Sequence, residues 1–132
     1  MNIFRGVIAL IKVSGNITLI TINVHDISFK TIVIETPATA SWLRTGGEIN
    51  VIFKETEVVI GKGLKHLISL QNKVPGEIVG MQKGELMCKI TVDTAIGNIV
   101  AIISLDAVMQ LDLQVGETVS AMIKTNEIMI SQ

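Results

Sequence analysis

The chain has 132 residues, room for one ordinary domain or two very small ones. It is 48% hydrophobic, with a mean hydropathy of +0.56, but only 17% charged and 3% aromatic, so any core must be built from Ile, Val, Leu and Met. A formal net charge of −1 gives no general field to draw in nucleic acid or an anionic membrane, and a lone cysteine, Cys88, excludes an internal disulfide and fits a reducing compartment.

The first run, "MNIFRGVIALIKV", reads as a strand. Its apolar segment is too short for a secretory signal, and no small-residue cleavage site follows. The longest clean apolar runs, "VIALI" and "IVAII", also fall far short of the ~20 residues that a spanning helix needs. The expectation is a cytoplasmic chain with no membrane partner. After the turn residues Ser14-Gly15-Asn16 comes "ITLITINV", a second strand. A third strand is expected before Thr36-Pro37, a cap and first-turn pair that predicts a short helix over "ATASWL". Gly46-Gly47 then turns the chain into "EINVIFK", and "FKETEVVI" carries it to a last strand.

The chain then starts again. Sliding it by 70 positions sets Asn2 on Asn72, Gly6 on Gly76, Ile20-Thr21 on Ile90-Thr91, Leu43 on Leu113, Gly46 on Gly116, Lys54 on Lys124 and Glu57 on Glu127. Glycines and a lysine in register, more than shared isoleucines, mark a tandem duplication. In the second copy "LMCKITVD" alternates, with Leu86, Cys88, Ile90 and Val92 on one face. "TVSAMIK" likewise sets Val119, Ala121 and Ile123 opposite Ser120, Met122 and Lys124. Between them "SLDAVMQLDL" reads as a helix with Ser104 as its N-cap. Three strands, a short helix and two strands, written twice, predict an all-β protein. Its two tandem five-stranded OB-like barrels each carry one short helix. The expected division is residues 1–62, a linker at 63–68, and residues 69–132. A β-domain of this size is marginal alone, and strands apolar on both faces need cover, so a homo-oligomer is expected.

Little in the sequence suggests catalysis. His25 and His66 are isolated and read as solvent-facing loop or linker residues, and Cys88 alternates with core positions as a small buried hydrophobe. "GKGLK" lacks the spacing and ending of a phosphate loop and reads as a flexible linker. An OB barrel that holds single-stranded nucleic acid needs stacking aromatics on a basic groove, and three Phe and one Trp on a neutral chain serve that poorly. What remains is a set of hydrogen-bond donors at element ends: Ser69, Gln71 and Asn72, Ser104, and Lys124-Thr125-Asn126. Each also has a plain structural role open to it. Ser104 can cap its helix, Asn72 can fix a turn, and Lys124 can keep an edge soluble.

The stretch from Ser69 to Ser131, with "SLQN", "GEIV", "GELMCKITVD", "AIISLDAV" and "LQVGETVSAMIKTNEIMIS", resembles the Mop (molybdenum-binding, TOBE-type) domain. Residues 2–61 look like a more diverged copy. The resemblance implies a non-enzymatic protein that binds molybdate or tungstate for storage or sensing. It implies oxyanion contacts at Ser69, Gln71, Asn72, Ser104, Lys124 and Thr125, with Lys54 as a contribution from the first copy, at interfaces between domains or subunits. It further implies a trimer for a stand-alone protein, or a dimer for the sensor half of a repressor. A tetrahedral dianion only accepts hydrogen bonds, so donors without acids or nucleophiles suit it. The helix start at Ser104 is a further anion partner. Gln71 stands where the family has Arg; the lost charge predicts affinity weaker by about ten- to a hundredfold. In the first copy Ile34 replaces Ser104, and Glu55 beside Lys54 would repel a dianion. The alternatives are a ligand-free assembly domain of a regulator or transporter ATPase and, more distantly, an OB-type nucleic-acid binder.

Overall fold

The computed structural model describes all residues, Met1–Gln132. The first repeat contains β1 (Asn2–Ser14), β2 (Ile17–Val24), β3 (Ile27–Val33), β4 (Glu48–Phe53), a 3-10 turn at Glu55–Glu57 and β5 (Val59–Lys62). The second contains β6 (Asn72–Lys83), β7 (Met87–Thr94), β8 (Gly97–Ser104), α1 (Leu105–Leu111), β9 (Thr118–Ile123), a 3-10 turn at Thr125–Glu127 and β10 (Met129–Ser131). The 70-residue offset survives in three dimensions. Even the β-bulge between Ile8 and Leu10 in β1 recurs between Ile78 and Gly80 in β6.

Each half is an antiparallel five-stranded sheet that curls into a half-barrel. The strand orders are β10-β4-β1-β2-β3 and β5-β9-β6-β7-β8. The fifth strand of each sheet therefore comes from the other repeat. β10 pairs with β4, setting Ile130 opposite Val51, while β5 pairs with β9, setting Ile60 opposite Ala121. Buried side chains from both repeats form a single cluster, running from Ile8, Ile20, Phe29 and Phe53 to Val74, Ile90, Ile99 and Ile123.

The exposed ends of the two sheets are joined by side-chain amides. Asn72, fully buried, accepts from the Lys30 backbone N–H at 2.6 Å and donates to the Lys30 carbonyl at 2.9 Å. Asn2 does the same to Val100, with both bonds at 2.9 Å. A primary amide carries a donor and an acceptor side by side, so it can pair with an edge strand as another strand would. Close strand approach also explains the two glycines of the repeat. A Cβ on Gly76 would lie 2.5 Å from the Asp93 carbonyl oxygen, and one on Gly6 would lie 2.8 Å from that of Asn23.

Four sequence expectations are corrected. "ATASWL" does not form a helix; the chain there makes isolated turns, with the Thr36 carbonyl accepting from Thr39 and Ala40 at 2.9 Å. The expected pair of helices is thus one. Thr36, Thr39, Ser41 and Trp42 are weak helix formers, and a segment this short cannot offset nucleation. In the second repeat α1 has a better start and a better end. Ser104 Oγ accepts from the Ala107 N–H at 3.1 Å, Asp112 turns left-handed at φ 49°, and Lys62 Nζ from the exchanged β5 donates to the Leu111 carbonyl at 2.9 Å. Leu86, expected inside, is 79% exposed, because β7 begins one residue later. Finally, β9 does not alternate: Val119 to Ile123 are all buried. The linker folds back over its outer face, where Ser120 Oγ donates to the Gly63 carbonyl at 3.0 Å and Lys73 Nζ to the His66 carbonyl at 2.6 Å. His66 is accordingly packed against Gly61 rather than free in solvent, whereas His25 is exposed in the β2–β3 turn as expected.

Candidate functional site

The donors singled out from the sequence fall into two groups. Asn72 lies opposite Ile123, and one further step along that register sets Gln71 beside Lys124. Lys124 is exposed and Thr125 half-buried, at the start of the 3-10 turn that packs against β3 of the first repeat. Ser69 and Gln71 are exposed on the approach to β6. Gln71, Lys124 and Thr125 are thus assembled at one end of the molecule, where the Asn72 amide ties in Lys30. That amide is committed to the Lys30 backbone, so Asn72 positions this end rather than presenting a free donor. Lys30 itself, a cation from the first repeat, has no sequence signal that could have linked it to Gln71. Only the contact between repeats brings it there.

Ser104 lies elsewhere in the same chain. It ends β8, and β8 packs against the 3-10 turn of the first repeat, which begins after Lys54. This second end is the symmetric counterpart of the first. Asn2 lies opposite Phe53, as Asn72 lies opposite Ile123, and Lys54 is exposed as Lys124 is. The charges differ, however. Glu55 takes the place of Thr125, and its Oε2 accepts from the Met1 ammonium at 2.9 Å. That hydrogen bond, with further help from a backbone N–H and Lys89, holds the Glu55 carboxyl below its ordinary range. Val100 stands where the first end has Lys30.

An open groove of about 510 Å³ lies away from both ends, between the linker and β6–β7. Its walls include Glu77 and Asp93, paired directly across the two strands, with Thr94 and Thr118. Two carboxylates make it unsuited to an anion. Elsewhere no three His, Cys, Asp or Glu side chains are placed to hold a bare metal ion. No helix is long and apolar enough to cross a membrane.

Two half-barrels related by an exact sequence offset, exchanging their last strands and placing lysine-bearing turns at symmetric ends, define a tandem small-barrel binding protein. The TOBE domain family matches residues 68–130. Molybdenum-pterin-binding protein 1 of Clostridium pasteurianum is 39% identical over 64 residues, which are 48% of this chain and 94% of that protein. A probable molybdenum-pterin-binding protein of Haemophilus influenzae is 33% identical over 64 residues, covering 48% of this chain and 93% of that one. The chain belongs to this Mop/TOBE family, in two tandem copies. Its fold over both copies is that of the cytoplasmic molybdate-binding protein ModG, solved with molybdate bound: the TM-score is 0.89 at 20% identity, covering 98% of this chain and 94% of the other.

Proposed function

We propose that the chain reversibly binds molybdate or tungstate, as a cytoplasmic store or sensor, and performs no catalysis. Family membership supports the ligand. The observation that supports particular residues is the register that sets Asn72 opposite Ile123, which brings the neighbouring Gln71, Lys124 and Thr125 to one end of the molecule, without a carboxylate at the Thr125 position and with the Lys30 backbone tied in by Asn72. A tetrahedral oxyanion with four acceptor oxygens needs such a set: an amide, a hydroxyl and ammonium groups. Within one chain Ser104 ends β8, the strand that packs on the opposite end. Ser104 therefore contributes through a neighbouring copy, Ser69 lies two residues before Gln71 on the approach to β6, and Lys54 belongs to a separate end.

The working form is a symmetric homo-oligomer, a trimer if the protein acts alone or a dimer if it serves as a sensor region. Its support is the apolar surface left uncovered by one chain: Ile3, Leu10, Val13, Leu67, Leu86 and Met109 are each more than half exposed.

A thermal-shift series with molybdate, tungstate, sulfate and phosphate tests the function, because a ligand of the folded state raises stability by RT ln(1 + [L]/Kd). The expected result is a rise with the first two anions that exceeds the rise with sulfate or phosphate at equal concentration. A flat response to all four would leave an assembly domain as the better reading. Light scattering at micromolar concentration tests the oligomer, and a monodisperse monomer would overturn it.

A further inference from the structure

The two ends of the molecule share one backbone plan but not one chemistry. At the end built on Lys124, the residue after the lysine is Thr125, whose hydroxyl can donate. At the end built on Lys54 it is Glu55, whose carboxylate is held at the surface by an ion pair. Asn2 begins β1 opposite Phe53, so Met1 precedes the strand near Lys54, and Glu55 Oε2 accepts from the Met1 ammonium at 2.9 Å. From the other side, the turn that carries Glu55 packs on β8, whose strand partner β7 presents Lys89 opposite Ile102. The carboxylate is thus bonded to the Met1 ammonium and lies in the field of Lys89, in the space between the start of β1 and the turn. The equivalent space at the other end lies between Gln71 and Thr125.

We infer that Glu55 is a resident anion: its carboxylate fills the first-repeat end and restricts oxyanion binding to the end built on Lys124. This rests on the oxyanion reading above and goes beyond it, assigning to one residue the choice of which end loads. A carboxylate and a molybdate oxygen compete for the same donors, and a fixed negative charge in the cradle repels a dianion as well as blocking it. Replacement by Thr, the residue of the other repeat, frees the ammonium groups and restores a donor hydroxyl. Ser104, at the end of β8, already has its oxygen engaged by Ala107 and its proton free to give.

Equilibrium dialysis of the full chain against molybdate reads the number of ions bound. Lys124→Ala should abolish wild-type binding, and Lys54→Ala should leave it unchanged. Glu55→Thr should add binding, up to twice the wild-type number per chain, and Lys54→Ala in that background should remove the gain. Glu55→Gln keeps the native size while losing the charge and must also bind more than wild type, which decides the matter should the threonine variant fold poorly. A wild-type loss on Lys54→Ala, or no gain in either Glu55 variant, overturns the inference while leaving the function standing. A silent wild type overturns the functional reading of the Lys124 end, yet a gain in the Glu55 variants above that silence upholds the role of Glu55. No binding by any of them overturns both.

Discussion

Asn2 and Asn72 show how a single side chain can carry an architecture. Each lies at the first position of a long strand, and each spends its amide on the backbone of the opposite repeat, Val100 for one and Lys30 for the other. The sequence marks both as important, since they coincide under the 70-residue offset, but it assigns them no partner. A turn or an anion was the natural reading; a strand edge 98 residues away for Asn2 and 42 residues away for Asn72 is what they hold. Asn72→Ala should lower stability by about 1–3 kcal/mol, because it leaves a partly buried N–H and C=O of Lys30 without partners as well as removing two bonds. Urea denaturation measures this, and Asn2→Ala should show a loss of similar size. A negligible loss in both would mean that water takes over the edge without penalty.

Among the elements, the strands follow the sequence pattern closely, while only one of the two expected helices forms. Alternation in "CKITVD" correctly gives Cys88, Ile90 and Val92 as core, since β7 has one face inward and one outward. Alternation in "TVSAMI" misleads, because the linker covers the outer face of β9 and buries Ser120 and Met122 too. The helices differ for a reason partly outside their own segments. α1 ends against Lys62, which donates to the Leu111 and Asp112 carbonyls at 2.9 and 3.4 Å and also pairs with Glu117 at 3.3 Å. A cation at a helix C-terminus contributes roughly 0.3–1 kcal/mol. Lys62→Ala should therefore fray the last turn of α1, speeding amide exchange at Asp112 and Leu113 by about two- to fivefold, with little change at the Ser104 end. Equal acceleration along the whole helix would show that Lys62 acts on the fold at large.

For the whole molecule, strand exchange matters most. Because β5 completes the second sheet and β10 the first, neither repeat contains all five strands of its own sheet, and one hydrophobic cluster spans both. Two repeats tied in this way should unfold together. Chemical denaturation followed by far-ultraviolet circular dichroism and by Trp42 fluorescence should give coincident single transitions, although the tryptophan reports from the first repeat alone. Residues 1–62 made separately should lack that transition, and mixing them with 63–132 should restore it. Two separated transitions in the intact chain would contradict the shared core.

The sequence by itself determined the duplication, the strand class, the turns that bound the strands and the family, because each of these is written in local pattern or in residue identity at a fixed offset. It also supplied the donors from which a site could be drawn. Only the tertiary structure decided that the last strands are exchanged, that Asn72 is a strut and not a free ligand group, that its amide ties the Lys30 backbone to the start of β6, and that β8, which ends at Ser104, packs on the turn after Lys54. The physical reason is that the two repeats are nearly the same shape. A strand or an amide offered to its own repeat and one offered to the sister repeat satisfy the same local chemistry, so nothing in either segment alone could choose between them. Closing both barrels at once made that choice.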